Sequence, residues 1–223
     1  MPDTKIVALS MGPLQAIQAL RECLAIAADK AYLISDSTFG GSDTLATSYI
    51  LSQAIGQIQL WEGPCDAIFC GKQAIDGDTA QVGPELAERL DLPQVTGCLE
   101  AEVTGQSLTV RRQVDTGVEV IRVQMPCLIT FTKPLWETRC PTVRRKLAAG
   151  KAEIPVLTAA QLPGLNDHDV GLKGSATRVR STFVPPHQGG MVIQAPSGEA
   201  AAQKLFDILR EAGVLEGEAV KPW

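Results

Sequence analysis

Apolar positions in the first part of the chain switch repeatedly between two periods. Residues 5–9 form a short apolar run, after which Leu14, Ile17, Leu20, Leu24 and Ala27 recur at helical spacing. The run has the length of a buried strand, and the spacing marks one face of a helix. The alternation continues. Residues 31–34 predict a strand, and residues 44–58 a helix with Asp43 as its N-cap. Residues 66–70 predict a further strand, and the next helix opens around Pro84. Strands alternating with helices imply a largely parallel sheet with binding sites at the carboxyl ends of its strands. The turns at 10–13, 36–43 and 71–83 should then share one rim.

Beyond residue 100 the pattern changes. Residues 107–114 and 119–123 alternate apolar and polar positions around Asp115-Thr116-Gly117, which predicts a β-hairpin. An irregular stretch from Thr132 leads to the basic Arg144-Arg145-Lys146, read as a solvated cluster able to steer an acidic partner. From Gly150 to Gly190 the chain is rich in Pro, Gly, Thr and Ala, with its clearest apolar anchor at Ile154, Val156 and Leu157. Ala201, Leu205, Ile208 and Ala212 lie on one face of a last helix, capped by Ser197 and ending near Gly213. The expected organisation is an α/β domain over 1–149 and an extended arm with a helix over 150–223, packing on a partner.

One loop concentrates the chemistry. Gly71-Lys72-Gln73-Ala74-Ile75-Asp76-Gly77-Asp78-Thr79-Ala80-Gln81-Val82-Gly83 joins a strand to a helix through small and hydroxyl-bearing residues. At a strand's carboxyl end, glycines permit close backbone approach, and hydroxyls with helix-start N–H groups cradle phosphate. The residues alone also fit a polar turn, for this is neither a Walker A loop nor a dinucleotide fingerprint.

Composition narrows the classes. The chain has 223 residues, 45% of them hydrophobic, enough for a sizeable core. A net charge of −5 and a pI near 5.1 argue against nucleic acid as the main partner. The absence of a bilayer-length apolar stretch or of signal-peptide character in residues 1–5 leads to an expected cytoplasmic location without membrane insertion. Six scattered cysteines without a CxxC pair read as reduced, buried thiols and not as cluster ligands. His168 and His187, the two histidines, sit in polar stretches and read as surface residues. With no paired histidines and no Ser/His/Asp set, hydrolase and metalloenzyme readings rank low, and no catalytic residue is assigned.

Three segments in order resemble the β subunit of electron transfer flavoproteins. They are Gly41-Ser42-Asp43-Thr44-Leu45-Ala46-Thr47-Ser48, the loop from Gly71 onward with Leu92-Pro93-Gln94-Val95-Thr96, and residues 110–121 with Met125-Pro126-Cys127. Thr116 departs slightly from the third pattern. The resemblance, from about Lys5 to Leu215, implies a mostly parallel, doubly wound, Rossmann-like sheet with a hairpin and an extended C-terminal arm. It implies an electron carrier, not an enzyme, in a heterodimer with an α subunit that serves flavin dehydrogenases. Gly71 to Val82 match the family's nucleotide loop, and Met11 occupies a family contact position. The Gly41 segment resembles the electron-bifurcating branch, in which Asp43, Thr44, Thr47 and Ser48 border a second flavin. FAD is therefore the implied cofactor, with AMP the alternative. Leu135 or Trp136 falls in the family's recognition loop for partner dehydrogenases.

The chain enters this pattern at Lys5, without the family's first strand and its following helix start. The expectation is an open sheet with an incomplete adenine pocket, or a true start upstream. Two rival readings remain: a structural AMP-binding subunit without its own redox centre, and an ATP-binding module outside electron transfer.

Overall fold

The computed structural model describes residues 4–74, 77–133, 137–186 and 189–214. Alternation of strand and helix begins as the pattern predicts: β1 Val7–Met11, α1 Ile17–Ile26, β2 Lys30–Ile34, α2 Thr44–Glu62, β3 Ala67–Gly71 and α3 Val82–Arg89. Asp43 caps α2, its carboxylate accepting the Ala46 N–H at 3.1 Å. Pro84 stands third in α3 instead of first, where its missing N–H still breaks no helical bond.

Four strands follow: β4 Gln94–Thr104, β5 Ser107–Val114, β6 Gly117–Gln124 and β7 Cys127–Phe131. The expected hairpin is β5–β6, paired antiparallel from Ser107 opposite Gln124 to Val114 opposite Gly117. After β7 come α4 Val143–Lys151, the two-residue β8 Val156–Leu157, α5 Gly171–Gly174 and α6 Gly198–Glu211.

The strands form two sheets. The first, in the order β1-β2-β8, is wholly parallel. The second runs β3-β7-β4-β5-β6, with β3, β7 and β4 parallel and β4, β5 and β6 antiparallel. Helix α2 serves both. Its Ile50 and Ala54 pack with Ile34 and Phe39 of the first sheet's side, while its Leu51 and Ile55 lie against Leu86 of α3 and Leu128 of β7. This parallel-rich α/β arrangement with a hairpin is the expected fold class.

The basic cluster is helical, not irregular. Thr142 caps α4 by accepting the Arg145 N–H, and the Arg145 guanidinium donates to the Leu24 and Ala28 carbonyls, both at 3.2 Å. Arg145 therefore closes the carboxyl end of α1, where a cation is favoured by the helix dipole. Composition hid this role because the sequence shows charge but not the carbonyls that meet it.

The chain divides into two compact units, one reaching Arg178 and one from Val179. The first extends past the boundary expected at 149: β8 pairs with β2, and Leu157, Leu162 and Val170 are buried in its core. In the second unit, α6 is capped by Ser197 as expected and has no buried residue. Two of the six cysteines, Cys23 and Cys140, are exposed, which corrects the reading of them as buried; Cys98 and Cys127 are buried.

Candidate functional site

The predicted loops follow the carboxyl ends of strands in both sheets: 10–13 follows β1 and 36–43 follows β2 in the first, and 71–83 follows β3 in the second. Met11 ends β1 and pairs with Ile34 at the end of β2. Beyond them Met11, Gly12, Asp36 and Phe39 line a cavity of about 430 Å³. Asp36 is held in place there, its carboxylate accepting from Thr38 N–H at 2.9 Å and Ala159 N–H at 3.0 Å. Those donors, Thr38 first, hold its carboxyl below the usual range.

The Gly41 segment and the β3–α3 loop meet through Thr44. Its hydroxyl donates to Glu85 Oε1 at 3.0 Å and lies 3.4 Å from Gln81 Oε1. Asp43, beside it, has its carboxylate committed: besides Ala46 N–H, it accepts from the N–H and hydroxyl of Thr177 at 2.8 and 3.0 Å. Burial alone would raise its pKa, but the Ala46 and Thr177 donors bring the carboxyl below its usual range. Ser48 is fully buried, its hydroxyl donating to Leu45 O and accepting from Arg89 Nε at 3.0 Å. Arg89 also donates to Leu45 O and lies 5.2 Å above the Tyr49 ring. Ser48 thus locks α2 to α3 and offers no free hydroxyl, whereas Thr44 and Thr47 are only half-buried.

Along the β3–α3 loop, Gly71, Lys72, Gln73, Ala74, Gly77, Asp78, Thr79 and Gln81 are exposed, and Ala80 and Val82 half-buried. Ile75 and Asp76 lie outside the described residues, as do Leu135, Trp136 and His187. The start of α3 is open: Gln81 at its N-cap makes no side-chain capping bond, unlike Asp43, Thr142 and Ser197 at the starts of α2, α4 and α6. Ala80 just before it has φ +56°, a left-handed conformation costing a non-glycine residue roughly 1–2 kcal/mol. A Cβ on Gly77 would meet nothing within 4 Å, so that turn faces open space. Gly83 is different, for a Cβ there would come within 2.5 Å of Thr130 Cγ2 on β7. Its glycine is what seats the helix start against the sheet.

The donors at this loop suit phosphate: uncapped N–H groups, the Lys72 ammonium and the Thr79 hydroxyl. Glu85 Oε2, an acceptor, is buried without a hydrogen-bond partner. Sequence reasoning missed Glu85, Arg89, Ser175 and Thr177. The Ser175 hydroxyl accepts Asp43 N–H at 2.8 Å and donates to Gly171 O at 2.8 Å, pinning the Gly41 turn. A Ser/Thr pair in a glycine-rich stretch carries no signal that distinguishes this clamp from an ordinary loop. Among the described residues no group of acidic, His and Cys side chains is placed to hold a metal, and no helix is long and apolar enough to cross a membrane.

Comparison with known proteins agrees with the architecture. Residues 2–162 match the family model described as the electron transfer flavoprotein domain. The chain is 50% identical over 195 residues to an electron transfer flavoprotein subunit beta of Megasphaera elsdenii, covering 86% of this chain and 72% of that protein. It is 43% identical over 212 residues to the subunit of the same name in Thermoanaerobacterium thermosaccharolyticum, covering 95% and 79%. It is also 40% identical over 215 residues to the caffeyl-CoA reductase-Etf complex subunit CarD of Acetobacterium woodii, covering 96% and 80%.

Proposed function

The chain belongs to the electron transfer flavoprotein family as a β subunit, an electron-carrier subunit and not a catalytic enzyme, and we propose that its β3–α3 loop holds the phosphates of an FAD. The observation that carries this reading is the open start of α3: uncapped N–H groups, Gly77 facing free space and Ala80 held in a left-handed turn. Met11, Thr44, Thr47, Lys72, Gln73, Thr79 and Gln81 would border the nucleotide. Asp43 and Ser48 would act from behind, Asp43 fixing the Gly41 turn and Ser48 joining α2 to α3.

When bound, the flavin supplies the electron-carrying chemistry; the chain's own part is to hold it and fix its orientation. FAD is favoured over AMP by the Gly41–Ser48 segment, which matches the branch with a second flavin. Two further features support an α-subunit partner and docking of flavin dehydrogenases. In the unit from Val179, Val179, Phe183, Val184, Met191 and Val192 are exposed, apolar surface that a partner would cover. On α4, Val143 and Leu147 are exposed one helical turn apart, an apolar pair that a partner would cover on this reading. A cytoplasmic site of action goes with these partners.

The test is the nucleotide content of the purified α–β complex. Two FAD per heterodimer is the expected result. One FAD and one AMP would make this a structural nucleotide site, and a complex without nucleotide on the β subunit would overturn the reading.

A further inference from the structure

Glu85 stands half-buried in the first turn of α3 and reaches across to the first turn of α2. Its Oε1 accepts the Thr44 hydroxyl at 3.0 Å, and Thr44 is the first residue of α2. The carboxylate therefore lies where the starts of two helices meet. Helix starts favour negative charge, and here a protein carboxylate already supplies it.

No cation neutralises that carboxylate. Its Oε2 is buried without a hydrogen-bond partner, and among the described residues no ion pair includes Glu85. Arg89, one helical turn further along α3, is committed elsewhere: its guanidinium donates to Ser48 Oγ and Leu45 O, both at 3.0 Å, and covers the Tyr49 ring. Oε1 alone serves the α2–α3 junction. The charge shared by both oxygens falls on what binds beside it.

What binds beside it is set by the same loop. The Thr44 hydroxyl lies 3.4 Å from Gln81 Oε1, and Gln81 is the N-cap residue of α3. A phosphate on the open N–H groups there lies one helical turn from a like charge in a half-buried setting, where repulsion is screened less than in bulk water. Nucleotides differ in how much of that repulsion they meet. AMP and the pyrophosphate diester of FAD each carry about two negative charges at neutral pH, ADP about three and ATP about four.

We propose that Glu85 sets a charge limit on the nucleotide site: it admits the doubly charged phosphates of FAD or AMP and turns away the higher charge of ADP and ATP. The proposal rests on the nucleotide reading above and goes beyond it by naming the residue that excludes polyphosphates. Discrimination then comes from a repulsive element and not from an added contact.

The α–β complex freed of nucleotide at the β site is titrated calorimetrically with FAD, AMP, ADP and ATP, without divalent metal. Wild type should bind AMP at least about tenfold more tightly than ATP, with ADP between them. Glu85→Gln keeps an acceptor for Thr44 and removes the charge, so ATP should gain about tenfold while FAD and AMP stay within about threefold of wild type. Glu85→Met removes acceptor and charge together and should release ATP in the same way, with thermal unfolding reporting that each variant is folded. A wild type that binds ATP as tightly as AMP overturns the proposal without any variant. An ATP-to-AMP ratio unchanged in a folded variant overturns it too, as does an equal gain for both nucleotides. Those outcomes leave the nucleotide reading standing; a wild-type complex that binds none of the four overturns both.

Discussion

Gly83 on α3 and Thr130 on β7 stand so close that a single methyl group on Gly83 would come within 2.5 Å of Thr130 Cγ2. The contact sets how deeply the helix start sits against the sheet, and so where its free N–H groups point. Gly83→Ala should destabilise the chain by about 1–3 kcal/mol through overpacking. Gly77→Val, with open space around it, should leave stability nearly unchanged and weaken nucleotide binding instead. Thermal unfolding and nucleotide titration of the two variants separate the effects. The assignment fails if Gly77→Val retains wild-type affinity.

A contrast between two hydroxyls tests the site from the α2 side. Ser48 is buried and engaged by Arg89, so Ser48→Ala should cost about 1–3 kcal/mol of stability by leaving the guanidinium short of an acceptor. Nucleotide affinity should hardly move. Thr44→Val, at the half-buried mouth, should do the reverse. Loss of nucleotide in Ser48→Ala with unchanged unfolding would restore Ser48 as a direct ligand contact.

The legible part of the fold was the part written in periodicity. Strand-to-helix alternation located β1, α1, β2, α2, β3 and α3, and Asp43 and Ser197 announced their helices because an N-cap is a local, sequence-adjacent interaction. α4 was missed because its mean polarity and the preceding Pro141 imitate a loop, while its anchor, Arg145 on the α1 carbonyls, spans more than a hundred residues. The site shows the same division. The glycine loop could be read directly. That Asp43 and Ser48 serve the frame could not, because Thr177 and Arg89, which engage them, are distant in sequence.

Placement of residues 150–178 changes what truncation should do. Stopping at Gly150 would remove β8 and bare Leu33 and Ile34 of the core, whereas stopping at Arg178 removes only the second unit. A chain ending at Arg178 should therefore fold with nearly wild-type thermal stability yet fail to co-purify with the α subunit. Unimpaired co-purification would mean that the exposed Phe183, Val184 and Met191 do not serve that interface.

Asp43 holds both ends of the Gly41 turn, capping α2 and binding Thr177. Asp43→Ala should cost about 1–2 kcal/mol from the cap, and more if the 170–177 clamp is released. Asp43→Asn retains an acceptor for Ala46 and should recover part of the loss. Limited proteolysis near Thr177 reads the clamp separately from the helix, and equal cleavage of wild type and Asp43→Ala would show that Thr177 does not depend on Asp43.

At the opposite end of α2, Glu62 is the last helical residue, where the dipole disfavours a carboxylate. Its side chain is 7% exposed and is compensated by Lys30 Nζ at 2.8 Å, Lys5 Nζ at 2.5 Å and the Tyr32 hydroxyl. Lys30, then Lys5, then Tyr32 hold its carboxyl down at about 2, against an ordinary 4.5. Burial, followed by the Glu62 hydrogen bond, pushes Tyr32 up to about 12 from 10. The folded state thus binds a proton at Glu62 less readily than the unfolded chain, so its stabilisation is complete above pH 4.5 and disappears as pH falls toward 2. Tyr32 acts at the other limit: its contribution is complete below pH 10 and is lost as pH rises through about 12. Glu62→Gln should therefore lower the unfolding temperature at neutral pH and flatten its decline between pH 4.5 and 2. Asp36 and Asp43, also held below their usual range, keep some acid sensitivity in the variant. An acid decline as steep in Glu62→Gln as in wild type would show that the two lysines hold this carboxylate no more tightly than solvent does.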